Sequence, residues 1–254
     1  MSTKKSRKPT DKELREQLQY LKLTSILEQY QPEAKAAAEK QITHVDYLAR
    51  LIDGEAQLRR ERSIARRIKL ARFPVIKTLE EFQWNWPRKI NRLQVQNLFR
   101  LVFVEESANV ILLGSVGVGK THLCTALGHA ACLQGYSVLF ASAIDIINTL
   151  SAAQNIGRLK AELKKYLRPA VLVIDELGYL PIDKKGADLL FQVISQRYER
   201  GSIILSTNKP FAKWPEIFNN DTTLTSAVLD RLLHHAEAVK IEGKSYRMKD
   251  QIKE

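Results

Sequence analysis

Eight consecutive residues carry the densest chemical signal in this 254-residue chain: Gly114, Ser115, Val116, Gly117, Val118, Gly119, Lys120 and Thr121. They satisfy G-x-x-x-x-G-K-[ST] at every fixed position, and His122 follows. Glycines at this spacing let the backbone curl so that successive N–H groups converge on phosphate oxygens. The Lys120 ammonium then meets the β- and γ-phosphates of a nucleotide, and the Thr121 hydroxyl is a ligand for Mg²⁺. The pattern has this meaning only where a strand enters the loop and a helix leaves it. Apolar Val110–Leu113 precedes it and helix-forming His122–Leu133 follows, so the helix N-terminus adds its positive end. Residues Gly114 to His122 are the expected nucleotide-binding set.

Two further constellations belong to the same chemistry. Val171-Leu172-Val173-Ile174-Asp175-Glu176 reads as a buried strand ending in two carboxylates. Asp175 is placed to hold Mg²⁺, and Glu176 to orient or deprotonate a water that attacks the γ-phosphate. Ser202-Ile203-Ile204-Leu205-Ser206-Thr207-Asn208 is a strand ending in polar groups. Ligands of an open parallel sheet sit at the carboxyl ends of its strands, so Asn208 is expected beside Lys120 and Glu176, its amide on the attacking water. The plainer alternative for Asn208 is a turn residue before Lys209-Pro210.

The elements that must position these groups follow from periodicity. Strands are expected over Asn109–Leu113, Ser137–Ala141, Ala170–Ile174, Ser202–Ser206 and Ala236–Ile241, with helical patterns between most of them. That is an α/β parallel sheet. Before it the pattern is all helical. Thr10 and Glu13 form a capping box, Leu14 to Tyr30 keep helical spacing, and Pro32 ends or interrupts that helix. Glu33–Lys40 reads as a short alanine-rich helix. Thr43 and Asp46 start another that runs to about Arg72 and closes at Pro74. Residues 1–75 are thus a helical domain, with a frayed basic arm at Met1–Pro9. Residues 76–254 are the nucleotide-binding domain with its connector. In that connector Phe82, Trp84 and Trp86 either pin it to the domain or line an adenine pocket.

Composition sets the class of partner. Lys and Arg number 40 against 28 Asp and Glu, a net charge of +12, which asks for a polyanion. Nucleic acid is the first candidate. An anionic membrane is disfavoured, since the sequence has no lipid-anchor motif and no apolar run long enough to span. Arg59, Arg62, Arg66 and Lys69 share a helix face with few acidic neighbours, a nucleic-acid surface or else a solvated face. The two cysteines, Cys124 and Cys132, lie on the helix after the loop, too far apart to bond, and are expected in the core. No cysteine–histidine cluster has metal-ligand spacing. The chain is read as cytoplasmic.

The loop, the Asp175-Glu176 strand end and Ser206-Thr207-Asn208 resemble the Walker A, Walker B and sensor-1 elements of AAA+ ATPases. Ala187–Gly201, Asp230-Arg231-Leu232 and Ser245-Tyr246-Arg247 resemble the IstB/DnaC clade of helicase-loader-like ATPases. Leu70-Ala71-Arg72-Phe73-Pro74 running into Leu79-Glu80-Glu81-Phe82 is most similar to IstB, the ATP-binding helper of an insertion-sequence transposase. The resemblance implies an ATPase using ATP and Mg²⁺. Arg231 would be an arginine finger reaching a neighbouring subunit's γ-phosphate, and Arg247 a sensor-2 residue for its own. It implies an ATP-dependent homo-oligomer, a ring or spiral, on duplex DNA. It also implies that the helical stretch Ala143–Leu167, with Arg158, Lys160, Lys164 and Lys165, faces the DNA, touching phosphates rather than bases. The client would be a transposase choosing its target. The nearest alternative is a replicative helicase loader on single strands. A monomeric small-molecule kinase would leave the charge and Arg231 unused, and a packaging protein would bind DNA without Lys120.

Overall fold

The computed structural model describes residues 10–248; the basic arm expected over residues 1–9 lies outside them. The chain divides into two compact units between Ala65 and Arg66.

In the first unit, α1 (Asp11–Tyr20) opens on the expected capping box: Thr10 Oγ1 accepts from Glu13 N at 3.3 Å and the Glu13 carboxylate accepts from Thr10 N at 2.7 Å. The expected helix from Leu14 to Tyr30 is in fact two. The chain turns at Leu21–Leu23, with Lys22 at φ 55°, and α2 (Thr24–Glu39) runs straight through Pro32. A proline there removes one hydrogen bond. The alanines at 34 and 36–38 favour the helix, and burial of Ile26 and Tyr30 against Leu18 and Leu51 anchors the turns before it. Tyr30 Oη also donates to Asp11 Oδ1 at 2.6 Å, tying α2 to α1. The next helix, α3 (His44–Ala71), starts where Thr43 Oγ1 accepts from Asp46 N and stops at Arg72, φ 59°, ahead of Pro74.

The second unit continues with α4 (Arg92–Leu98), α5 (Val102–Glu105), β1 (Asn109–Gly114), α6 (Lys120–Leu133), β2 (Val138–Ser142), α7 (Ala143–Asn155), α8 (Leu159–Leu167), β3 (Val171–Leu177), α9 (Lys184–Arg197), β4 (Ser202–Thr207), α10 (Thr222–Leu233) and β5 (Ala236–Ile241). Among the described residues the five strands form one parallel sheet in the order β2-β3-β4-β1-β5. Its three central strands, β3, β4 and β1, are covered on both faces, which is why they read as continuous apolar runs. Alternation still sorts them. Val110, Leu112, Val171, Val173 and Ile204 pack with Leu123 and Leu127 of α6. Ile111, Leu172, Ile174, Ile203 and Leu205 pack with α7, α9 and α10. Each such side chain contributes roughly 1.5–3 kcal/mol of burial. The strands lie where the sequence put them, within a residue at most ends. β3 is longer, for a reason that matters at the site.

The expected helix Ala143–Leu167 is broken into α7 and α8. Gly157 takes φ 70°, its N–H bonds Gln154 O at 3.1 Å, and Arg158 N bonds Ala153 O at 2.8 Å. This is a Schellman stop, which needs a residue at ease with positive φ. Cys124 and Cys132 are buried and unbonded, as expected, and burial pushes the Cys132 thiol up to about 11. No helix among the described residues is long and apolar enough to cross a membrane.

Candidate nucleotide site

The loop leaves the carboxyl end of β1 and turns into α6. Gly114 admits no side chain: a Cβ there would stand 2.3 Å from the Ile241 carbonyl oxygen of β5. Gly119 caps α6 at φ 98°, where a Cβ would meet the Phe82 ring at 2.7 Å. Val118 is buried and Val116 half exposed. Lys120 is 5% exposed and its Nζ donates to Ser115 O at 2.8 Å, turned inward over its own loop. Burial pushes its ammonium below the usual lysine range, Asp175 pulls it back, and Arg247 adds a smaller downward push. A buried cation held by one carbonyl is a ready binder of a stronger anion.

The two carboxylates stand on a distortion of β3. Ile174 pairs with Leu205 and Leu177 with Thr207, so three steps on β3 face two on β4. The extra residue is a bulge, the device that re-aims side chains next to sites. It lengthens β3 past Ile174 and puts Glu176 at φ 61°. Asp175 is buried and Glu176 exposed. Asp175 Oδ2 accepts from Thr121 Oγ1 at 2.9 Å, and Asp175 Oδ1 accepts from Ser206 Oγ. The same Ser206 oxygen accepts from Glu176 N at 2.9 Å. One hydroxyl thus fixes both the Asp175 carboxylate and the backbone of Glu176. Asn208 is partly buried, and its Oδ1 is enclosed without a hydrogen-bond partner.

A cavity of about 400 Å³ opens beside the loop, lined by Gly117–His122 and Thr125 from the loop side. The opposite wall is the connector (Pro74, Val75, Phe82, Trp86, Pro87) together with Tyr179, Tyr246 and Arg247. The aromatics pack the connector on the domain, and Phe82 and Trp86 also line this cavity. Phe82 is buried in the core that packs on α6. His122 Nε2 donates to Thr78 O at 2.8 Å, holding the connector against α6. The chain's last described segment closes the other side. Tyr246 N donates to Gly117 O at 2.8 Å, Ser115 Oγ to Gly243 O at 3.2 Å, and Trp86 Nε1 to Lys244 O at 3.0 Å. A second cleft, about 990 Å³, runs along the outer edge of β2, is lined by Asp175 and Glu176, and shares Pro74, Thr121 and Arg247 with the first.

The residues named from sequence fall into three groups. Lys120, Thr121, His122 and Arg247 line the first cavity, Thr121, Asp175, Glu176 and Arg247 line the second, and Asn208 Oδ1 lies against Gly178, two residues after Glu176. Arg231 stands apart: its Nη1 donates to Ala227 O at 2.9 Å and its guanidinium stacks 5.0 Å from the Phe191 ring centre, outside both clefts. The basic residues form the third group. Arg158, Lys160, Lys164 and Lys165 are exposed on α8 and its cap, and Lys165 is paired with Glu162 at 2.6 Å. Arg66 is exposed in the second unit. Arg59, in the first, is engaged with the buried Glu55 at 3.1 Å. Ser206 and Tyr179 have a part in the site that residue type alone did not announce. The signal for Ser206 was its place, two residues before Asn208 on the strand expected beside Asp175.

Comparison with known proteins follows the same lines. Residues 16–254 match the family described as IstB-like ATP binding protein. The ATP-binding protein of insertion sequence IS21 from Pseudomonas aeruginosa is 44% identical over 229 residues, covering 90% of this chain and 83% of the relative. That of IS5376 from Geobacillus stearothermophilus is 38% identical, covering 91% of each. Among solved structures, the DnaC helicase loader superposes with a TM-score of 0.53 at 24% identity, over 65% of this chain and 96% of that one, a likeness of fold.

Proposed function

Because this chain belongs to the family of IstB-like ATP-binding proteins, with an AAA+ fold, we propose that it is an ATPase that assembles on duplex DNA and presents it to a transposase. The names of its relatives tie them to insertion sequences, which supports the transposition setting. The observation that carries the hydrolytic part is the hydrogen-bonded run Thr121–Asp175–Ser206–Glu176 beside the buried Lys120.

In this reading the loop N–H groups and Lys120 hold the β- and γ-phosphates of ATP, and Arg247 adds charge from the same chain. Thr121 and Asp175 suit Mg²⁺, since a hydroxyl and a carboxylate 2.9 Å apart are the hard oxygen donors it takes. The metal supplies charge neutralisation on the phosphates. Asn208 orients a water, Glu176 accepts its proton as its oxygen attacks the γ-phosphorus, and the bond to the bridging oxygen breaks to release ADP. The open cleft along β2 gives room for Arg231 of the next copy, which its own site leaves outside. Lys160 and Lys164, exposed and in no ion pair among the described residues, would meet DNA phosphates, with Arg158 and Arg66 as flanking charge and Lys165 and Arg59 weakened by their acidic partners.

The test is Glu176→Gln, sized with ATP and either duplex or single-stranded DNA. The expected outcome is a long-lived ATP-bound oligomer on duplex. Failure to assemble with ATP on any DNA overturns the reading, and retention on single strands alone turns it to a helicase loader.

A further inference from the structure

We propose that His234, His235 and Glu199 form a Zn²⁺ site at the end of the sheet opposite the nucleotide loop. One ligand atom from each lies within 4.8 Å of the other two. His235 Nε2 is 4.0 Å from a Glu199 carboxylate oxygen, and the two imidazole rings are centred 4.0 Å apart. All three side chains are exposed, so small torsional changes bring the atoms to the ~2.0–2.2 Å bonds zinc makes. Two imidazoles and a carboxylate suit zinc, whereas Mg²⁺ and Ca²⁺ take oxygen donors. The site is therefore chemically distinct from the one at Thr121 and Asp175.

Two further observations point to a cation here. Tyr198 Oη and His234 Nδ1 share a 2.7 Å hydrogen bond. With Nδ1–H donating to the phenol, the ring is oriented and the Nε2 lone pair is left for a metal, the arrangement that holds most zinc-bound histidines. The backbone contributes as well. Tyr198 is the C-cap of α9 and His234 the C-cap of α10, so the carbonyl ends of two long helices converge on the cluster and favour positive charge. Asn109 N, at the start of β1, donates to His235 O at 2.7 Å, which puts the cluster at the amino ends of the strands. Three protein ligands leave a fourth position for water. Zinc bound there clips the end of α9 to the end of α10, the helix that carries Arg231.

The test is calorimetric titration of the full, tag-free and nucleotide-free chain with ZnCl₂. One equivalent should bind to the wild type. His235→Ala and Glu199→Gln should each lose at least ~10-fold in affinity, and Tyr198→Phe ~10-fold through the freed His234 ring. Zinc should raise the melting temperature of the wild type and not of a His234→Ala/His235→Ala double variant. ATP affinity, unchanged in every variant, serves as the check that each is folded. No binding by the wild type overturns the site, as does binding that survives undiminished in the double variant, which would put the metal on His44, His122 or His129. An unaltered Tyr198→Phe affinity overturns the part given to Tyr198.

Discussion

The two ends of the β3–β4 pair each hold a cation out of water, and they treat it in opposite ways. At the amino ends, Arg197 is 2% exposed and donates to the carbonyls of Tyr166, Leu167, Pro169, Ala170 and Ser202 at 2.8–3.4 Å. Burial still lowers its pKa to about 10, but the fork of the guanidinium is met almost everywhere. At the carboxyl ends, Lys120 has a single carbonyl and a nearby carboxylate. One end is finished by its own backbone, and the other leaves its cation with far fewer partners. The difference supports taking the first buried charge as architecture and the second as a candidate for chemistry.

Predictions sharpen or break that contrast. The largest effect is expected for Arg197→Met. Leaving several buried carbonyls unmet should cost at least ~3 kcal/mol in urea unfolding, while the folded fraction keeps its ATP affinity. A loss below ~1 kcal/mol would show the carbonyls finding other donors, since one hydrogen bond alone is worth about that much.

Lys120→Met should do the reverse. ATP affinity falls ~10–100-fold, the worth of a charge-assisted contact, while the melting temperature without nucleotide stays level or rises because a poorly compensated charge is gone. The pH dependence follows from the same cause. Only the protonated lysine would hold phosphate, and burial lowers its pKa, so affinity should begin to fall at an alkaline pH below the ordinary lysine range. A wild-type affinity flat up to that range would remove the argument.

Ser206→Ala comes next. It strands Glu176 N–H and loosens Asp175, and should cost ~1–2 kcal/mol of stability and slow hydrolysis while binding persists. Smallest is the DNA surface. Lys160→Ala or Lys164→Ala should each reduce the salt slope of duplex binding by about 1, and Lys165→Ala by less, because Glu162 already claims that ammonium. Equal slopes for all three would mean α8 is off the DNA.

Much of the carboxyl-end chemistry was legible in sequence because it is local. Strand, glycine loop and helix follow one another in the chain, and so do the apolar run and Asp175-Glu176. The register slip that turns Glu176 was not legible, since pairing partners 30 residues away decide it. Arg197 lay in plain view within a helical run, and nothing in its type told it from a surface arginine; its carbonyls come from the α8–β3 junction and β4. Pro32 misled because a breaker was weighed above the alanines and the buried Ile26 and Tyr30 around it. Gly157 was passed over for the opposite reason, an apolar helical pattern before it continuing into a basic one after it. The fold-back of residues 243–246 onto the loop depends on β5 ending beside Gly114, a tertiary fact.

Glu176 occupies a backbone conformation that a side chain with a Cβ tolerates at a cost of roughly 1–2 kcal/mol. Glycine would sit there at ease. On the proposed reading of Glu176 as the base, a search for hardier variants that scored only heat resistance would drift toward glycine at this position and return a sturdier protein that grips ATP and never spends it. On that reading, the discomfort of one residue in β3 is what the fold concedes to the reaction.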